Sequence, residues 1–201
     1  SRREFLKNIS KSSVAVGLGL GKPDYISAAE PDIFFYLSLA EFSFASELWQ
    51  RRMSHLDFAS RAKNEFGIDT VEYVSMFFNN KHTNAAFLKE MNTRASDAGV
   101  KNHLIMVDGQ NLSDLDEAKR KAAVENHYPW VDAAKTLGCT AIRVNLGSME
   151  MPGSAEDEKN AAVEGYGKLL EYAEKAGINV IVENHMGRSC NAMWLVDIMK
   201  Q

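Results

Sequence analysis

Four glycines set the frame for this chain. Each closes a run with helical periodicity and is followed at once by a β-rich run. Gly67 leads Ile68-Asp69-Thr70-Val71-Glu72-Tyr73-Val74, Gly99 leads Val100 to Asp108, Gly138 leads Cys139 to Asn145, and Gly177 leads Ile178 to Asn184. The spacings are 32, 39 and 39 residues. A glycine just past a helix takes the left-handed conformation that ends it cleanly. Strand runs separated by amphipathic helices at this spacing predict βαβ units and a parallel sheet. A first strand over Ile33 to Leu39 brings the number to five.

The intervening helices carry their own signals. Apolar residues recur at helical spacing between Asp114 and Leu137, with Ser113 and Asp116 as a start signal. A second helix is expected over Ala161 to Ala176, with Leu169, Leu170, Tyr172 and Ala173 as its apolar stripe. Met53, Met76, Met91 and Met106 read as core. Two architectures satisfy this pattern. One is an open, doubly wound five-stranded sheet. The other is a (β/α)8 TIM barrel, α/β in class, truncated after about five βα units. A whole barrel takes about 250 residues, so three more units are expected to follow Gln201.

Buried parallel strands should be apolar throughout, yet these break the rule at their C-terminal ends. Glu72, Asp108, Arg143 with Asn145, and Glu183 with Asn184 and His185 stand there. Both architectures bind ligands at that edge of the sheet. Two-residue alternation puts Arg143 and Asn145 on one face, and likewise Glu183 and His185. Each residue also has a plainer reading. Glu72 could pair with a nearby cation, Asp108-Gly109 is a turn signal, and Arg143 needs a carboxylate wherever it is buried. Glu183 follows Val180-Ile181-Val182, where a carboxylate calls for a cation partner, and a metal ion fits better than a structural salt bridge. His127 reads as a packing or capping residue, and His55, His82 and His103 receive no role. Asn184 could brace the strand-end loop from the other face.

Composition narrows the classes. The 201 residues are 45% hydrophobic and 25% charged, the profile of a globular domain and not of a disordered, collagen-like or polytopic membrane chain. Two cysteines, Cys139 and Cys190, cannot make a disulfide framework or a zinc ribbon. The net charge of -4 disfavours nucleic acid as a partner and leaves small sugars and divalent cations open.

Residues 1–29 stand apart. Ser1-Arg2-Arg3-Glu4-Phe5-Leu6-Lys7 resembles the twin-arginine export signal, with an apolar Val14-Ala15-Val16-Gly17-Leu18-Gly19-Leu20 run behind it and small residues at Ser27-Ala28-Ala29. The run is too short to span a bilayer. Its Gly17-x-Gly19-x-Gly21 follows no strand and is no dinucleotide loop. The resemblance implies passage through the twin-arginine translocase, a periplasmic or exported location, and a mature barrel domain over 30–201.

Within that domain, Val180-Ile181-Val182-Glu183-Asn184-His185-Met186-Gly187 resembles the sugar phosphate isomerase/epimerase family of xylose isomerase-like TIM barrels. Leu37-Ser38-Leu39-Ala40-Glu41-Phe42-Ser43, Phe66 to Val74, Leu104 to Gly109, Ala122 to His127 and Leu137 to Asn145 continue it in order. The resemblance implies a divalent-metal enzyme (Mn, Mg, Co or Zn) acting on a small carbohydrate. It makes Glu183 a metal ligand and the group that exchanges a proton with the substrate carbon, with further ligands expected from later strands. Arg143, Asn145 and His185 are then expected to orient substrate, with Glu72 and Asp108 lining the pocket. Many relatives carry a Gly pair after the His where this chain has Met186-Gly187-Arg188, so the loop there departs from the pattern. Two rivals are an exported sugar-binding barrel without catalysis and a phosphodiesterase of the endonuclease IV type. The latter calls for more strand-end histidines and a basic groove, neither of which is present. A homo-oligomer is neither required nor opposed.

Overall fold

The computed structural model describes residues 35–146 and 152–201. The chain divides at Phe35/Tyr36, and the fold below is that of the second unit. The export-signal residues lie outside the described ones, as do Ile33 and Phe34 of the expected first strand.

Elements run in the order β1 (Leu39–Ala40), α1 (Ala45–Trp49), α2 (Phe58–Phe66), β2 (Thr70–Val74), α3 (Ala85–Asp97) and β3 (Lys101–Val107). They continue with α4 (Glu117–Leu137), β4 (Ala141–Asn145), α5 (Ala155–Ala176), β5 (Asn179–Glu183) and α6 (Ala192–Met199). All pairings are parallel and the strand order is β1-β2-β3-β4-β5. A doubly wound sheet reverses direction at a switch point. Here each strand is added on the same side of the last, which is the winding of a barrel, and the ambiguity left by the glycine period is resolved.

One-way winding with crossovers of one hand puts the helices on a single face. Val71, Tyr73, Ile105, Val107, Ile142 and Val144 accordingly pack into one core with Leu88, Met91, Val124, Val131, Leu169 and Ala173 from the helices. Burying a side chain of this size contributes about 1.5–3 kcal/mol. The alternate strand residues, among them Glu72, Met106, Arg143 and Glu183, face what is the interior of a barrel.

The four framing glycines all have positive φ, 69° at Gly67, 66° at Gly99, 72° at Gly138 and 74° at Gly177. Several boundaries differ from expectation. β1 holds only Leu39 and Ala40 among the described residues: residues 36–38 are not part of the ladder, and the strand runs one residue past Leu39 to where the Glu41 carboxylate takes the Val74 N–H. α4 starts at Glu117, capped by Asp116, whose carboxylate accepts from the Ala118 and Lys119 amides. The Ser113 hydroxyl instead donates to Asn111. α5 begins six residues early, at Ala155, behind a Ser154/Asp157 capping box. Leu170 is 48% exposed, one residue off the stripe that holds Leu169 and Ala173. Met76 is 46% exposed, whereas Met53 and Met91 are buried as expected.

Candidate active site

The polar strand ends converge unevenly. In register, Asn145 lies beside Glu183, and Val107 beside Val144, so Asp108 follows at the same level. Arg143 sits one pleat lower, between Met106 and Ile181. Glu72 pairs with Leu104, one pleat lower again. At ~3.3 Å per residue this leaves Glu72 about 13 Å below Asp108 along the strands. There it accepts a hydrogen bond from the Ser38 hydroxyl at 2.5 Å. Five of the six expected residues are therefore brought together and Glu72 is not.

At the centre is Arg143, whose side chain is 14% exposed. Its Nη1 donates to Asp108 Oδ1 at 2.7 Å and to Asn145 Oδ1 at 2.5 Å, and Asn145 Nδ2 donates to Asp108 Oδ1 at 3.0 Å. These bonds close a triangle. Glu183 Oε2 lies 3.0 Å from the same Nη1 and 3.4 Å from His185 Nδ1. A guanidinium Nη1 has two protons, and both are engaged. Glu183 Oε2 is buried and receives no aligned hydrogen bond. It lies beside the positive charge without an aligned donor.

Local supports fix this geometry. The buried Tyr166 hydroxyl of α5 donates to the Asn145 carbonyl at 2.5 Å, and burial pushes its phenol well above the usual range. The Asp108 amide donates to Ser75 Oγ at 3.2 Å. The four Arg143-centred residues and His185 line a cleft of about 550 Å³, whose lining also includes an apolar set: Phe42, Val74, Met76, Met106 and Met186. Sequence reasoning missed this set. Its signal was the alternation that puts Val74 and Met106 on the Arg143 face, and the position of Phe42 and Met76 just past strands β1 and β2.

Another polar pair was missed at the end of β1. Glu41 is fully buried, its Oε1 lies 2.5 Å from His55 Nδ1, and its Oε2 accepts from the Val74 amide at 3.1 Å. Burial raises the Glu41 carboxyl above its usual range, against the lowering influence of His55. His55, given no role from the sequence, packs on Tyr73, Phe78 and Phe87 and thereby joins β1 to the aromatic core. His127 is buried with Nδ1 at 2.7 Å from the Ala123 carbonyl, the packing role expected of it.

Among the described residues no group of three His, Cys, Asp or Glu is placed to hold a metal ion. Glu183 alone offers an unsatisfied buried carboxylate oxygen, with His185 beside it. These residues fit one part of a metal's ligand set and not a whole one.

A parallel sheet whose strands are all added in one direction, with polar groups at its C-terminal edge, has the winding of an α/β barrel. Residues 60–200 match the xylose isomerase-like TIM barrel, and the chain belongs to that family. No protein of curated function matches it by sequence. Among solved structures it is similar to D-psicose 3-epimerase in the presence of D-fructose, at 18% identity and TM-score 0.64, covering 81% of this chain and 58% of that one. It is similar also to the probable 3-DHS dehydratase AsbF of Bacillus anthracis (17%, TM-score 0.66, 83% and 58%). A third is the IolI protein with a bound zinc atom (16%, TM-score 0.58, 74% and 51%). At these identities the likeness is one of fold. The chain spans less than two thirds of the length of each.

Proposed function

We propose that the intact protein is a metal-dependent isomerase or epimerase of a sugar or sugar phosphate, with Glu183 as metal ligand and as the carboxylate that moves a proton alpha to a carbonyl. The observation that carries this reading is Glu183 Oε2, buried beside a guanidinium nitrogen whose protons are already committed. Two carboxylates, Asp108 and Glu183, surround one guanidinium, so the charge of the site favours a cation. When bound, a divalent ion (Mn, Mg, Co or Zn) polarises the substrate carbonyl and stabilises the charge that builds on its oxygen. In this reading Glu183 contributes one ligand, and the rest come from parts of the protein beyond the described residues. The likeness in fold to a psicose epimerase and to zinc-bearing IolI supports it.

The chain's own residues then divide the work. Glu183 takes the proton from the carbon beside the carbonyl as general base. For isomerisation it then delivers it to the former carbonyl carbon while the neighbouring hydroxyl proton passes to the carbonyl oxygen. For epimerisation a second acid on the opposite face reprotonates the same carbon. Arg143 is locked by Asp108 and Asn145 and holds the Glu183 carboxylate in place. Asn145 and His185 offer hydrogen bonds to substrate hydroxyls. Phe42, Met76 and Met106 face the carbon side of the ring and exclude water.

Metal content of the intact protein by plasma mass spectrometry, on wild type and Glu183→Ala, tests the assignment. About one divalent ion per chain, lost in the variant, is the expected result. Metal retained by Glu183→Ala removes Glu183 as an essential ligand. No metal in either after reconstitution replaces the enzyme with a sugar-binding barrel. The resemblance of Ser1 to Lys7 to a twin-arginine signal supports, separately, a proposed location outside the cytoplasm. Replacing Arg2 and Arg3 with Lys should then retain it in the cytoplasm on fractionation.

A further inference from the structure

β5 leaves the sheet at Glu183, and the next residues take His185 and Met186 along the cleft. The chain then turns through a short 3-10 segment, Gly187–Cys190, entered by Gly187 at φ 62°. Ser189, 1% exposed, closes the turn by donating to the Met186 carbonyl at 2.6 Å. Arg188 ties it to the neighbouring βα unit. Its Nε donates to Glu158 Oε2 at 3.0 Å and its Nη2 to the Gly153 carbonyl at 2.7 Å. Glu158 is in the first turn of α5 and is 6% exposed, a carboxylate that needs a cation to be tolerated there. Gly153 is in the loop that precedes α5, and a Cβ at its position would come within 2.3 Å of the Leu115 side chain. Further along, Trp194 Nε1 donates to the Ala155 carbonyl at 2.9 Å.

Three loops at the C-terminal edge are thus linked in series: the β3–α4 loop through Leu115, the β4–α5 loop through Gly153, and the β5–α6 loop through Arg188. Arg188, which follows the Met186-Gly187 position where the loop departs from the family pattern, supplies a two-pronged, charged anchor whose geometry lysine cannot copy.

We propose that Arg188 is a positioning residue, whose paired bonds to Glu158 and the Gly153 carbonyl hold the β5–α6 loop so that His185 and Met186 face the cleft beside Glu183. The proposal rests on the reading of that cleft as the substrate site. His185 is 44% exposed at its side chain and reaches Glu183 only because the chain beyond it is held. The anchor lies outside the cleft lining, so it acts on the site through the loop alone.

The test is hydrogen exchange by mass spectrometry on the intact protein, comparing the peptide over 186–191 with strand β3. Arg188→Ala should raise exchange in 186–191 about ten- to hundredfold, the effect of losing a charge-assisted hydrogen bond, with β3 unchanged. Arg188→Lys and Glu158→Gln, milder changes that keep the proposal testable if Arg188→Ala does not fold, should fall between. The exchanged pair Arg188→Glu with Glu158→Arg should recover only the part of the protection that the ion pair supplies, since a carboxylate cannot donate to the Gly153 carbonyl. The Met186 methyl resonance should shift in Arg188→Ala and return toward wild type in the exchanged pair, a response that general stabilisation does not produce. Unchanged exchange in 186–191, or an equal rise in β3, overturns the proposal. Metal content of wild type and Glu183→Ala is read separately. A loosened loop in a protein that never binds metal keeps the anchor and removes the catalytic reading, and the reverse result does the opposite.

Discussion

Two glycines two residues apart in α5 should respond to the same substitution with opposite sign. A Cβ built on Gly167 meets nothing within 4 Å, while one on Gly165 lands 1.9 Å from the Leu112 carbonyl oxygen and 3.0 Å from its carbon. Both are helix-interior positions, where Gly→Ala contributes about 0.5–1 kcal/mol through backbone entropy alone. At Gly167 that gain is unopposed. At Gly165 the clash is with backbone, and a real contact below 3.0 Å essentially never occurs, so α5 or the β3–α4 loop must retreat by about 1 Å or more. Overpacking of this kind costs about 1–3 kcal/mol, and the absence of a flexible partner places it at the upper end. The net is a loss of about 2–2.5 kcal/mol. For a chain of this size each kcal/mol moves Tm by about 2–4 °C. Thermal melts followed by circular dichroism should therefore show Gly167→Ala about 1–4 °C above wild type and Gly165→Ala about 4–10 °C below it. If Gly165→Ala melts at or above wild type, Leu112 is not seated against α5 as described, and the placement of the loop that follows Asp108 falls with it.

Burial holds the His127 imidazole below its ordinary range, the Ala123 carbonyl opposing this in part. The unfolded chain then binds more protons than the native one from about pH 6.5 down to the native value, so unfolding free energy should fall as pH drops through that window, by at most about 1.4 kcal/mol per pH unit. His127→Gln should flatten that part of a urea-denaturation series, and an unaltered slope would contradict the burial of this ring. The two cysteines should separate cleanly. Burial pushes the Cys139 thiol up to about 12, and Cys190 is exposed, so iodoacetamide should label Cys190 alone in native buffer and both in denaturant. Native labelling of Cys139 would mean that the end of α4 opens far more readily than its packing implies.

What the sequence disclosed and what it withheld follow from the range of the interactions. Helix ends are local, and the four left-handed glycines were readable from their neighbours alone. Cap choice is also local but finely balanced: Ser113 and Asp116 are both good N-caps, and Asn111 decided between them by accepting the Ser113 hydroxyl. Strand order is not local. The same period suits a doubly wound sheet or a barrel, and only the pairing of β1 with β2 and so on to β5 distinguishes them. Site membership is governed by register. Glu72 was read as a strand-end residue like Asp108, but β2 runs on to Val74, and the pairing of Glu72 with Leu104 leaves it two pleats below Asp108. The Glu41–His55 pair was invisible for a related reason. Neither residue carries a pattern, and only the return of the chain past the end of β2 makes one the partner of the other.

The four framing glycines all precede strands, so they sit at the edge of the sheet remote from Glu183, and the loops that frame the cleft sit at the other, with Gly109 and Gly187 at φ 123° and 62°. The two edges are consequently open to different kinds of change. Turns built on Gly67, Gly99, Gly138 and Gly177 demand a backbone conformation that other residues reach only under strain, and variation there is felt as lost folding. Segments such as Gly109–Leu115 and Met186–Asn191 can exchange side chains while the helices and strands beneath them stay put. A library aimed at new ligands of the cleft should be confined to the second set, with Gly109, Leu112, Gly153, Gly187, Arg188 and Ser189 left untouched.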